Sequence, residues 1–299
     1  MTATTAPLGR VLTAMVTPFT PDGALDLEAA ARVATHLVDA GNDGLVVSGT
    51  TGESPTTTDA EKEQLVRVVL DAVGSRATVV AGVGTSDTAH SVQLARDAAK
   101  AGAHGTLVVT PYYSKPPQAG IVSHMVQVAE AGGLPVLVYD IPGRTGVKLS
   151  HQSLVALGAH ELVVGVKDAA GDLVAGSRVM AETDLAYYSG DDAANLAWLA
   201  HGAVGVVSVV AHVAGRDYAA MIAALDRGDL AEARRINTSL LPVVEAVMNR
   251  TQGAITAKAS LQLLGVLEHR TMRSPLLELD AANLALLRDA LVAAGLLGH

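Results

Sequence analysis

Short Val- and Leu-rich runs alternate with longer Ala-rich amphipathic stretches along most of the chain, and this alternation restricts the fold more than any other feature. The runs at 11–16, 44–47, 78–81, 106–109, 135–138, 162–166, 186–188 and 205–207 are nearly continuous in apolar residues. Strands that read this way are buried on both faces, which requires a parallel sheet covered by helices. The stretches between them, at 27–40, 60–73, 89–101, 121–131, 173–181 and 193–199, have helical periodicity, and Asp59 and Thr88 are candidate N-caps. About eight βα units predict a TIM (β/α)8 barrel. An open doubly wound sheet is the competing arrangement, but no G-x-G-x-x-G turn follows the first run.

After the eighth run the alternation stops, and 217–227, 230–248, 255–265 and 281–294 all read as helices. This predicts a barrel catalytic domain over 1–229 and a C-terminal helical extension over 230–299, packed on the barrel or on another subunit. No apolar run approaches the roughly 20 residues that span a bilayer. Residues 1–9 lack the basic start and apolar stretch of a leader, so a cytoplasmic location is expected. With 0 Cys there is neither a disulfide framework nor thiolate chemistry. The formal charge is −9 and Lys and Arg are scattered, which argues against nucleic acid or an anionic membrane as partner.

Barrel chemistry sits at the C-terminal ends of the strands, and the polar residues collect there. The second run leads into Gly49-Thr50-Thr51-Gly52-Glu53-Ser54 and the fourth into Thr110-Pro111-Tyr112-Tyr113. The fifth ends in Tyr139-Asp140 before Pro142-Gly143-Arg144-Thr145-Gly146, the sixth in Lys167-Asp168, and the seventh runs into Ser189-Gly190-Asp191-Asp192. The chain has 6 Tyr, 1 Phe and 1 Trp, so a core almost free of aromatics is expected, with Tyr112, Tyr113 and Tyr139 on the rim.

Strand alternation places Val163, Gly165 and Lys167 on one face. If that face lines the barrel, low-dielectric walls lower the pKa of Lys167, and the neutral amine is a nucleophile for a ketone. An exposed Lys closing a strand is the ordinary alternative. Tyr139 on the adjacent strand end favours chemistry, since a phenol can protonate the departing carbinolamine hydroxyl. The 49–54 loop offers backbone N–H groups and close backbone approach at two glycines, which suits a carboxylate. Arg144 has the planar fork for a second carboxylate, although alone it would read as a surface ion pair. Asp191 and Asp192 stand where many barrels bind phosphate, and would repel one. They could bind a divalent metal, but no third ligand is evident and the 10 His show no H-x-H or H-E-x-x-H spacing. Capping of the next helix is the simpler role, and a metal-free mechanism is expected.

Taken together, these rim motifs resemble the dihydrodipicolinate synthase family (4-hydroxy-tetrahydrodipicolinate synthases), over nearly the whole chain. The resemblance implies a lyase of the class I aldolase type in the diaminopimelate route to lysine, with pyruvate and L-aspartate 4-semialdehyde as substrates. It implies no cofactor beyond a Schiff base on Lys167. Thr51, Tyr139 and Tyr113 would form a proton relay, with Tyr113 reaching in from a neighbouring subunit of a homotetramer. Thr50 and Thr51 would bind the pyruvate carboxylate, with Gly190 and Val207 beside the site, and Arg144 would hold the semialdehyde carboxylate. Asp140 departs from the Asn of many relatives and could perturb Tyr139. Asp59, Lys62 and His90 stand where lysine-inhibited members carry His and Glu, which predicts weak or absent inhibition by lysine.

Two rival functions remain open at this level. A sugar-acid aldolase or N-acetylneuraminate lyase of the same superfamily would share Lys167, Tyr139 and the Gly-Thr loop. Thr51 with the Tyr112-Tyr113 pair, and the compact Arg144 loop, favour the short amino-acid aldehyde. A barrel that binds a keto acid without turnover would be expected to lack a relay residue, and none is missing.

Overall fold

Eight parallel strands close in sequence order into a barrel in the computed structural model, which describes residues 6–298. The expectation of no leader over residues 1–9 falls mostly outside the described residues. The strands are β1 (Val11–Ala14), β2 (Gly44–Val47), β3 (Thr78–Gly82), β4 (Gly105–Val109), β5 (Val136–Asp140), β6 (Val163–Asp168), β7 (Ala186–Ser189) and β8 (Gly205–Ser208). Each starts within about two residues of its expected position, and the closed ring replaces the open-sheet alternative.

The outer layer comprises α1 (Leu27–Asp39), α2 (Asp59–Val73), α3 (Thr88–Ala101), α4 (Gln118–Gly132), a one-turn α5 (Pro142–Thr145), α6 (His151–Gly158), α7 (Leu173–Glu182) and α8 (Asn195–Ala200). Beyond β8 follow α9 (Ala211–Asp226), α10 (Leu230–Met248), α11 (Gly253–Leu263) and α12 (Ala281–Ala293). None of the described helices is long and apolar enough to cross a membrane.

Side-chain alternation sorts the core into layers. Leu12, Val46, Val80, Leu107, Leu137, Tyr139, Tyr188 and Val207 fill the barrel interior. Their strand neighbours, such as Leu45, Val47, Val136 and Val138, pack outward against the helices. A third cluster joins Val11 and Val206 to α9–α12, so the late helices pack on the barrel through their own apolar seam.

Several local expectations change. Thr58, not Asp59, caps α2, because Thr58 and Glu61 form a reciprocal capping box. Asp87, not Thr88, caps α3, its carboxylate accepting from the Ala89 and His90 N–H groups. The core is less poor in aromatics than composition suggests: Tyr187, Tyr188, Tyr218, Trp198 and Phe19 are all buried. Tyr187 stacks on Trp198 with ring centroids 5.6 Å apart, outside the barrel wall.

Candidate active site

Lys167 does project into the barrel mouth, but not by simple alternation from Val163. The β5–β6 register shifts between Val136, paired with Val163, and Leu137, paired with Gly165. Val164 is therefore the extra residue of a bulge. Val163 packs outward with the helices, while Val164 packs against the interior cluster. Alternation restarts at Gly165, where a Cβ would lie 2.3 Å from the Ala186 carbonyl, so only glycine fits.

At the strand ends Tyr139 and Lys167 are register partners. The ammonium lies 4.0 Å from the Tyr139 ring centroid, and both side chains are buried. Burial lowers the Lys167 pKa to about 8 against the opposing pull of Asp192, with Arg144 lowering it further. The neutral fraction at pH 7 rises from roughly one in 3,000 for an ordinary Lys to roughly one in 10. Burial raises the Tyr139 phenol, which stays protonated and able to donate. Gly190 closes the other side: a Cβ there would meet Lys167 Cγ at 2.9 Å and Cε at 3.0 Å.

A cavity of about 360 Å³ opens beside Tyr139, lined by Gly49, Thr50, Tyr112, Tyr113, Tyr139, Ile141 and Arg144 among others, whereas Lys167 and Thr51 do not line it. In the 49–54 loop, the Glu53 and Ser54 N–H groups close turns onto Thr50 and Gly49. The Thr50 and Thr51 N–H groups donate to no acceptor among the described residues, nor do the Thr51 and Tyr139 hydroxyls. Arg144 is exposed on α5 and pairs with no acid among the described residues, so the ordinary salt bridge is absent there. Val207 is buried in the interior cluster beneath the mouth. Tyr113 is 93% exposed and holds a left-handed backbone, φ 73°, so this chain alone does not bring it onto Lys167.

The two acidic residues after β7 divide their work. Asp191 caps the short 3-10 turn Asp192–Ala194 by accepting from the Ala193 N–H. Asp192 is buried and reaches across to β8 instead, accepting from the Ser208 hydroxyl, the Val209 N–H (2.9 Å) and the Val210 N–H (3.1 Å). It thereby fixes the start of α9, while also accepting from the Asn195 side-chain amide at the start of α8 (3.1 Å).

Asp140 points away from Tyr139, as its neighbour on a strand must. It faces a separate cavity of about 230 Å³ under α6 and α7, with Asp168 and Tyr187, and does not perturb the phenol. Burial, with the neighbouring Asp168 charge adding to it, raises its carboxyl to about 7.

The three positions expected to replace a lysine effector site meet in one corner. His90 pairs with Asp59 at 3.0 Å. Lys62 is buried, donates to the Thr57 carbonyl, and is lowered by burial against the pull of Asp59 and Glu61.

Sequence reasoning missed Lys258 and Arg273, which hold Glu53 from behind the loop. The only signal was a Lys inside the apolar stretch of α11, a weak one on its own.

Comparison with known proteins gives the family of the chain. The 4-hydroxy-tetrahydrodipicolinate synthase of Acidothermus cellulolyticus is 63% identical over 290 residues, covering 97% of this chain and 94% of the relative. That of Kineococcus radiotolerans is 61% identical over the same coverage. The crystal structure of the enzyme from Cyanidioschyzon merolae with lysine bound superposes with a TM-score of 0.94 at 41% identity, covering 97% of this chain and 99% of that one. The family model for the dihydrodipicolinate synthetase family matches residues 7–294, and the chain belongs to that family.

Proposed function

We propose that the chain is a 4-hydroxy-tetrahydrodipicolinate synthase, condensing pyruvate with L-aspartate 4-semialdehyde through a Schiff base on Lys167. The observation that carries the reading is the buried amine of lowered pKa set 4.0 Å over the ring of a protonated phenol at the barrel mouth. Neutral Lys167 adds to the keto carbon of pyruvate, and Tyr139 delivers the proton with which the carbinolamine hydroxyl leaves as water. Loss of a methyl proton through Tyr139 and Thr51 gives the enamine, whose carbon attacks the aldehyde. The substrate amine then displaces Lys167 and closes the ring. No cofactor enters these steps.

The free N–H groups of Thr50 and Thr51 suit the pyruvate carboxylate. Arg144, unpaired by any described acid, suits the carboxylate of the second substrate. Gly190 and Val207 wall the Lys167 side chain and the space beneath it. Tyr113 completes the relay in a neighbouring subunit. Its exposure and left-handed backbone support this, since neither is explained by contacts within its own chain. The assembly is a homotetramer, to be checked by sedimentation velocity.

The test couples the reaction to dihydrodipicolinate reductase and follows NADPH oxidation, with Lys167→Ala beside the wild type. Turnover that collapses in the variant is the expected result. A folded wild type without turnover discards the synthase reading.

A further inference from the structure

The loop that offers Thr50 to the cavity is held in a strained form. Ser48 before it and Glu53 near its end are both non-glycine residues in the left-handed region, at φ 56° and 55°. Such backbone persists only where the surroundings over-determine it. Gly49 and Thr50 face the cavity, whereas the Glu53 side chain is 0% exposed and lines no part of it.

Both oxygens of that carboxylate are taken by the late helical segment. Oε1 accepts from Lys258 Nζ of α11, and Oε2 from the Arg273 backbone N–H at 3.0 Å. Lys258, 1% exposed, also donates to the Thr271 carbonyl at 2.7 Å. The Arg273 guanidinium donates to the Thr56 and Gly23 carbonyls and to both oxygens of Glu61, at 2.6–2.9 Å. Phe19, the only Phe in the chain, lies 4.2 Å from each cation. Two cations from beyond α10 thus grip the β2–α2 connection at Glu53 and Thr56 and the first turn of α2 at Glu61, and neither cation lines the cavity.

A buried ion pair contributes little net stability over apolar packing but can specify a single geometry. We propose that Glu53, clamped by Lys258 and Arg273, is a positioning residue that aims the Thr50 and Thr51 N–H groups at the keto-acid carboxylate. This rests on the reading of the loop as the pyruvate carboxylate site. The competing view is that the pair only fastens α11 to the barrel. That view predicts a lower melting temperature with both substrates affected alike.

The variants are Glu53→Gln, Lys258→Met, their combination, and Arg273→Lys. The last keeps the backbone N–H to Glu53 and loses only the guanidinium fork, and so serves if a core variant fails to fold. Pyruvate dependence is read two ways: by borohydride trapping on Lys167, followed by mass, and by steady-state KM for each substrate. The expected result is a rise in half-saturating pyruvate of about tenfold in each core variant and about threefold in Arg273→Lys. The KM for aspartate semialdehyde should change less than about twofold, and the double variant should be less impaired than the two single effects multiplied, since the partners couple. Wild-type pyruvate dependence in a folded variant, or equal rises in both KM values, overturns the proposal. A wild type that traps no pyruvate on Lys167 removes the keto-acid reading and this inference together, whereas normal trapping in wild type and variants alike removes the positioning role only.

Discussion

Asp140→Asn should stabilise this protein in alkaline solution and not in acid. The carboxyl lies on the outer face of β5, buried, and among the described residues only the Leu149 N–H reaches its two oxygens, at 3.3 Å. Asp168, its register partner on β6, is also buried and raised by burial. The Asp140 carboxyl is thus raised from 3.8 to about 7 in the fold. Between those values the folded chain holds the proton and the unfolded chain does not. Stability therefore falls as pH rises through that window, and the whole penalty is present above pH 7. Roughly three pH units correspond to about 4 kcal/mol, and local relaxation would reduce this to roughly 2 kcal/mol. An amide carries no such penalty, still accepts from Leu149 and can donate towards Asp168. The variant should melt roughly 3 °C above the wild type at pH 8, and the difference should vanish by about pH 4. Melting both proteins from about pH 4 to 9 tests this. A difference independent of pH, or a wild type more stable at about pH 8, would show that Asp140 is ionised and well satisfied, and the reasoning would fail.

The rate of borohydride-trapped pyruvate adduct should rise with pH and level off above about 8, because only the neutral Lys167 amine attacks; a flat profile between roughly pH 6 and 9 would sink the lowered pKa. Gly190→Ala should cut turnover about 100-fold, since its methyl would press on the Asp168 carbonyl and push Lys167 off Tyr139. Near-normal turnover in that variant would show that the space between Lys167 and Gly190 is loose enough to yield. Lysine at about 1 mM should leave more than half the activity, the effector corner being occupied by Lys62 and the His90–Asp59 pair; strong inhibition below that concentration would contradict it.

Much of this molecule was legible in the order of its residues. Strand and helix periodicities are set by residues a few positions apart, so the eight runs, the order of the elements and the late helices could be read directly. The rim motifs could be read too, because each follows its strand in the chain and the barrel brings all strand ends to one face. The short α6 escaped because eight residues, His151–Gly158, carry too few turns for a clear period.

The βα pattern, the polar rim, and the places of Tyr139 and Lys167 at the ends of consecutive strands all follow from the chain alone. Everything that depends on closing the ring required the folded molecule. The bulge at Val164 chooses the face on which Lys167 lies, and nothing in the apolar run 162–166 distinguishes a bulged strand from a regular one. Burial of Tyr187, Tyr188 and Tyr218 depends on what packs over them, not on their neighbours in the chain. Asp192 ties the start of α8, through the Asn195 amide, to the end of β8, through Ser208 and Val209, because closure brings β8 beside it. Glu53 and Lys258 are 205 positions apart and meet only when the late helices fold back over the first strands. A charge buried at such a distance has no local signature, because its stability depends entirely on a partner that the fold supplies.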